Sequence, residues 1–127
     1  QQFVVDRELQ LETHRDKIKP DIIWNTELGL KQTASRLAWA ERERAALYRR
    51  MREFFLTSDL FVTPGAPTAA FDVNLRAPET IAGKKLDNYM SGSTLNSAIT
   101  VTGSPAIAVP CGFDSFGRPV GLQLVGK

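Results

Sequence analysis

The densest group of side chains that could do chemistry is a run of hydroxyls in the second half of the chain. Its members are Ser91, Ser93, Thr94 and Ser97. With Lys84 and Lys85 just upstream, the run superficially offers a serine nucleophile and a lysine base. Neither a strand–turn–helix elbow nor a Gly-rich oxyanion loop surrounds it, and Ser and Thr commonly cap helices. We therefore predict that this run contains no catalytic residue.

His14 and Cys111 are the only histidine and the only cysteine. No carboxylate or thiol stands at metal-ligand spacing around His14, so we predict no metal site and interpret His14 as a surface helix residue. Cys111 lies between Pro110 and Gly112, with no basic neighbour to activate a thiol, which indicates a small buried side chain. We also predict no cofactor.

Composition bounds the class of protein. The 127 residues are 43% apolar and 24% charged, which excludes a collagen, a disulfide scaffold and a wholly disordered chain. A net charge of +2 is too small to predict a nucleic-acid or membrane partner. The lone cysteine, together with the lack of a signal-peptide pattern or a long apolar run, predicts a cytoplasmic protein.

The first 56 residues favour helices. Thr33 is predicted to cap a helix that runs to Leu56, and Pro20 to begin a helix that ends with Gly29 as a left-handed cap. Phe3 to Lys17 is predicted to be helical as well. The arginines of the longest helix alternate with glutamates, so we interpret it as a solvated, ion-paired surface. Nucleic-acid binding through it is the weakest alternative.

Strands and loops are predicted after Thr57. A buried strand over Leu60 to Val62 should end at Pro64, and an irregular segment should follow over residues 64–86. Ser91 to Thr102 favours a helix that ends at Gly103. Two strands, around Ile107–Val109 and Val120–Val125, flank a loop over residues 112–119, which predicts an antiparallel pair.

Two segments of this second half resemble a known family. The stretch TGSPAIAVPCGFDSFGRPVGLQLVGK, from Thr102 to Lys127, is similar to the C-terminal signature of the amidase signature family, and DLFVTPGAPTAAF, from Asp59 to Phe71, is similar to the segment before it. That family includes bacterial amidases and one of the subunits of glutamyl-tRNA amidotransferase. The resemblance covers roughly residues 30–127. Thr100 departs from the pattern, since the family usually has Asn there.

The resemblance implies an α/β fold and a reaction. The chain would be a fragment of a mixed-sheet α/β/α sandwich, a single partial domain over residues 1–127 that is helical over 1–56 and made of strand and loop over 57–127. The family hydrolyses a carboxamide with a nucleophilic serine, a second serine and a lysine base. Nothing in Gln1 to Leu30 matches that region, so we expect the catalytic residues to lie upstream and the isolated chain to be inactive.

The resemblance also implies a role in the substrate pocket. The expected lining residues are Thr63, Pro64, Ser93, Thr94 and Ser97. The alternative is that Pro64 merely ends a strand and the hydroxyls merely cap a helix. The expected partners are the N-terminal part of the same domain, a small amide substrate and a second copy of the chain, because strands cut from a larger sheet leave unpaired edges. A stand-alone, non-catalytic interaction module is the alternative function.

Overall fold

The structure is a computed structural model that describes residues 2–127, with side chains from Val4 onward. Four helices and five strands follow in chain order: α1 (Gln2–Thr13), α2 (Pro20–Leu30), α3 (Ala34–Phe54), β1 (Phe61–Pro64), β2 (Thr80–Ile81), β3 (Lys84–Lys85), α4 (Thr94–Thr102), β4 (Ala106–Phe113) and β5 (Pro119–Val125). Short 3₁₀ turns cover Arg15–Lys17 and Tyr89–Ser93. The order confirms an α/β chain with its helices first.

The chain forms two compact units, one ending at Glu43 and one from Arg44 to Lys127. In the first unit α1 packs against α2. Gly29 lies inside α2 and is not its left-handed cap, so that prediction is wrong. A Cβ at Gly29 would lie 2.5 Å from a methyl carbon of Val4, so the glycine allows the two helices to approach closely. The predicted single partial domain stays a prediction.

The ends of the helices test the caps and bounds that the sequence predicted. Thr33 caps α3 as predicted, because its hydroxyl oxygen accepts a hydrogen bond from the Arg36 backbone N–H at 3.2 Å. Gly103 ends α4 in the left-handed region with φ 70°, also as predicted. α1 ends at Thr13, and residues 15–17 form a 3₁₀ turn where the helix was expected to continue. Likewise α4 begins only at Thr94, after a 3₁₀ turn.

A three-stranded antiparallel sheet organises the second unit, in the order β1–β5–β4. The predicted antiparallel pair of the two C-terminal strands is confirmed. On one face Val125 is fully buried between Phe55, which follows α3, and Ile99 of α4. Met51 and Phe61 pack against this core. The ring of Phe54 meets the rings of Phe55 and Phe61 edge-on, with centroids 5.3 and 5.6 Å away.

The opposite face of the sheet is apolar and uncovered. Val62, Leu124 and Ile107 lie side by side across the three strands. Val62 is 52% exposed and Ile107 62% exposed. The prediction of a buried strand at Leu60–Val62 is therefore wrong, because β1 is an edge strand with one covered face. Pro64 lies within this strand as its last residue, which an edge strand tolerates.

Two further predictions are corrected by tertiary geometry. Residues 64–86 contain a short hairpin, because β2 and β3 pair around Ala82 and Gly83, both with positive φ. Cys111 is exposed and not buried. The register of β4 against β5 shifts between Pro110 and Gly112, so the cysteine stands at a bulge outside the regular ladder.

The β4–β5 turn carries a polar clip. The backbone N–H groups of Phe116 and Arg118 each donate to Asp114 Oδ1 at 2.9 Å, and Arg118 Nε donates to Asp114 Oδ2 at 2.7 Å. The backbone hydrogen bond from Arg118 is the main reason that the pKa of the Asp114 carboxyl lies below its ordinary value. Arg118 Nη1 also donates to the Ala70 carbonyl at 2.9 Å, which holds the irregular segment against the turn.

We predict that Asp114 makes stability depend on acidity. A carboxyl whose pKa is lower in the folded state stabilises the fold above its ordinary pKa of 3.8, and that contribution is lost as pH falls through the folded value. The free energy of unfolding in urea should therefore fall more steeply between pH 6 and about pH 3 for the wild type than for Asp114→Asn. Parallel pH profiles would contradict the role of the clip.

Candidate functional site

At the end of the sheet beneath α4, the backbone that follows β1 lies close to the backbone of β5. Beyond β1, the Gly65 N–H donates to the Gly121 carbonyl at 2.8 Å and prolongs the ladder with β5. A Cβ on Gly65 would lie 3.2 Å from that carbonyl oxygen, and one on Gly121 would lie 3.3 Å from the Val109 oxygen. A larger residue at either position would press on a backbone carbonyl, which would have to shift by a few tenths of an ångström.

α4 is tied to this end of the sheet. Asn96 Nδ2 donates to the Gly65 carbonyl at 3.3 Å, while Ile99 and Thr102 bury their side chains. At the other end of the segment, Asn88 Oδ1 accepts from the backbone N–H groups of Met90 and Ser91, which caps the 3₁₀ turn before the helix. These contacts determine which side of α4 faces the sheet and which side faces solvent.

Ser93, the last residue of the 3₁₀ turn, lies with Thr94 and Ser97 on the exposed side of the beginning of α4. They line a shallow depression of about 300 Å³ whose other walls are apolar: Leu47, Met90, Ala98 and Val101. The Ser93 hydroxyl donates to the Met90 carbonyl and the Thr94 hydroxyl to the Ser91 carbonyl, each at 2.8 Å. Both hydroxyls donate to backbone carbonyls three residues earlier, and Ser93, the N-cap residue of α4, makes no side-chain capping hydrogen bond. Their oxygen lone pairs remain available to a ligand.

Thr63 and Pro64 lie elsewhere. Thr63 is buried on the core face of β1 beside its cross-strand partner Gln123, and Pro64 is exposed next to Leu122. The structure therefore brings the three hydroxyl residues together and leaves the strand pair outside their depression. A role for any of the five in lining a substrate pocket stays a prediction.

Gln123 is a residue that sequence reasoning missed. Its Oε1 is fully buried and has no hydrogen-bond donor among the described residues. An unpartnered buried acceptor is costly, by about 1–3 kcal/mol. The available signal was an amide side chain at an inward-facing position of an otherwise apolar strand, directly between Thr63 and Ala108.

The described residues supply no reactive pair. Lys84 and Lys85 are exposed on β3, and within residues 2–127 neither forms a hydrogen bond to Ser93 or Ser97. The same part of the chain contains no group of three His, Cys, Asp or Glu side chains placed to hold a metal. No helix in it is both long and apolar enough to cross a bilayer. The arrangement can contact a small molecule through hydroxyl oxygens and apolar side chains.

Sequence comparison relates the chain to known proteins. The sequence model described as Amidase matches residues 6–127. One relative, the A-type chain of the glutamyl-tRNA(Gln) amidotransferase of Prochlorococcus marinus (strain NATL2A), is 36% identical over 91 residues, and its counterpart in Synechococcus sp. (strain CC9311) is 37% identical over 88. Each match covers 69% of this chain but only 17% of the relative, so the chain spans about a sixth of the length of these relatives.

Solved structures share the fold. A bacterial aryl acylamidase of the amidase signature family superposes with a TM-score of 0.80 at 18% identity, covering 98% of this chain and 27% of that protein. A crystal structure described as an amidase superposes with a TM-score of 0.81 at 26% identity, covering 94% of this chain and 27% of that protein. These likenesses and the family match over nearly the whole sequence support one conclusion: the chain belongs to the amidase family, whose members are amidase-signature amidohydrolases.

Proposed function

We propose that this chain is the C-terminal part of an amidase domain that hydrolyses a carboxamide to a carboxylate and ammonia or an amine. The family match over residues 6–127 carries the proposal. The uncovered face around Val62 and Ile107 supports it, because an apolar face of this kind is usually covered by another layer of structure. The cytoplasm as its location belongs to the same proposal, consistent with a single unpaired cysteine.

In the proposed reaction the nucleophile and base lie outside this chain. By resemblance to the family, a lysine takes the serine proton through a second serine, the serine oxygen attacks the amide carbon, and the amine leaves with a proton. Water then releases the carboxylate from the acyl-enzyme. An unactivated hydroxyl is a poor nucleophile and the oxyanion needs fixed donors, so residues that only pack or line the pocket cannot perform the reaction alone.

The role that we propose for this chain is to close the sheet and to contribute to the substrate pocket. Ser93, Thr94 and Ser97 would contribute hydroxyl oxygens from the exposed side of α4, and Thr63 and Pro64 would contribute the end of β1. The hydrogen bond from Asn96 to Gly65 supports this assignment, since it holds α4 at a constant place on the sheet.

We predict that the isolated chain does not hydrolyse amides and that a longer protein, which includes the coding region upstream of Gln1, does. Ammonia release from propionamide, benzamide and glutamine should stay at the buffer rate for the isolated chain and rise above it for the longer protein. In the longer protein, Ser97→Ala should raise KM more than it lowers kcat, because a lining residue contributes binding and no proton transfer.

Two results would contradict this proposal. Turnover by the isolated chain that Ser93→Ala abolishes would place the nucleophile in the hydroxyl run. An upstream region without the serine and lysine signature, in a longer protein that hydrolyses none of the amides, would favour the stand-alone interaction module. Thr100→Val, a substitution outside the proposed lining, serves as the control variant for KM.

We also propose that the isolated chain self-associates through its uncovered sheet face. Sedimentation should show concentration-dependent dimers or larger species, because burying this face removes exposed apolar area at about 25 cal/mol per Å². Val62→Lys with Ile107→Lys should give a monomer, since charges on an open sheet oppose pairing. Val73→Lys, at a residue that is 93% exposed outside the sheet, should still associate. A monomeric wild type at high concentration would contradict the proposal.

Gln123 allows the cost of a buried, unpartnered acceptor to be measured. In the isolated chain, Gln123→Met should raise the free energy of unfolding by about 1 kcal/mol, because it removes a buried acceptor that has no donor at similar volume. Gln123→Ala should lower it, since it opens a cavity. Urea denaturation of both variants and of the wild type measures these differences. A free energy of unfolding that Gln123→Met leaves unchanged or lowers would contradict the cost assigned to the unpartnered acceptor.

A further inference from the structure

We propose that the cleft between α1 and α2 in the first unit binds a small amphipathic carboxylate, an anion with an alkyl tail. The cleft measures about 680 Å³, within the range of about 300–1,000 Å³ that is typical of small-molecule sites. Its lining, among the residues that the structure describes, runs from Arg7 to Ile22, so it is separate from the hydroxyl residues of α4. The proposal does not depend on the amidase reaction.

The charges of the lining favour an anion. Arg7, Lys17 and Lys19 are among the lining residues, with His14 beside them, and no carboxylate from residues 4–127 lines the cleft. Neither Lys17 nor Lys19 has an ion-pair partner within the part of the chain that the structure describes. The Arg7 guanidinium is oriented by a 2.6 Å hydrogen bond from its Nη1 to Gln10 Oε1. The charged side chains of the lining are thus all cationic, which favours a ligand with an anionic group.

The apolar part of the lining favours a tail. Leu9, Ile18 and Ile22 share the cleft with the cations, and Leu9 is 71% exposed. An alkyl chain laid against these side chains would remove apolar surface from water on both partners. An inorganic anion would leave Leu9 as exposed as before, so the lining fits an amphipathic ligand better than a purely polar one.

The surroundings of the cleft disfavour a polyanion. Carboxylates follow one another on the same segments outside the lining: Asp6, Glu8, Glu12, Asp16 and Asp21. A nucleic-acid backbone that reached Lys17 and Lys19 would have to pass these side chains, and like charges at close range repel. A ligand with one compact anionic head avoids them. The geometry therefore points to a monocarboxylate.

The experiment follows His14 during a titration of the 127-residue chain with octanoate. His14 is the only histidine, so its imidazole proton resonances report on this cleft without other assignments. We expect a saturable shift of these resonances. The double variant Lys17→Gln with Lys19→Gln should bind octanoate about tenfold more weakly, because it removes two of the cations that line the cleft. A tenfold loss of affinity corresponds to about 1.4 kcal/mol. Leu9→Ser should weaken binding through the tail.

Matched controls separate the two parts of the ligand and the two units of the chain. Lys84→Gln with Lys85→Gln removes the same charge from β3, and the octanoate titration followed at the His14 resonances should be unchanged in this variant. Lys17 ends a 3₁₀ turn and Lys19 precedes α2, so neither substitution falls inside an α-helix and the Lys17/Lys19 variant should retain its far-UV circular dichroism. Octanol, which has the tail without the charge, should shift His14 little.

Three outcomes would overturn the proposal: no saturable His14 shift with octanoate, an equal shift with octanol, or equal affinity in the Lys17/Lys19 variant. Displacement of octanoate by inorganic phosphate at similar concentration would also overturn it, since the tail would then contribute nothing. None of these outcomes bears on carboxamide hydrolysis, which is measured separately by ammonia release, so failure of one proposal is distinguishable from failure of the other.

Discussion

The burial of Val125 between Phe55 and Ile99 is the contact on which the second unit depends. Val125 is fully buried at the end of the middle strand, so it joins the residue that follows α3 to the helix that precedes β4. With α4 packed on this face of the sheet, its exposed side is left with Ser93, Thr94 and Ser97. Truncating the valine would leave a cavity in this core and weaken the packing of the helices on the sheet.

The core of this unit is small. Its buried apolar residues are Phe55, Ile99 and Val125, and the other face of the sheet is open. A sheet usually needs an element packed on each apolar face to exclude water. The open face agrees with the proposal that a further layer of an amidase domain packs there.

The polar residues of the second unit divide into two kinds. Asp114 and Arg118 satisfy one another and the backbone, and they hold an irregular segment through Ala70. Gln123 does not have its acceptor satisfied by any described residue. The first kind is complete within the chain and serves its own turn. The second kind lacks a donor within the described residues, so its burial costs desolvation that no hydrogen bond offsets.

The sequence by itself determined what local chemistry can determine. The cap at Thr33, the left-handed end at Gly103, the antiparallel pair of C-terminal strands and the family resemblance all depend on residues close together in the chain, and the structure or the comparisons confirm them. Each involves hydrogen bonds or backbone preferences within a few residues, or a single hairpin, so little tertiary context is needed.

Only the tertiary structure decided which faces are covered. The sequence predicts Gly29 to be a helix cap, whereas the structure places it inside α2 against Val4 of another helix. The sequence predicts Cys111 to be buried, whereas the structure places it exposed at a bulge. The exposure of Val62 and the unpartnered Gln123 depend on what lies across the sheet. Burial is a property of pairs of surfaces that are distant in the chain, so no periodicity within one segment contains it.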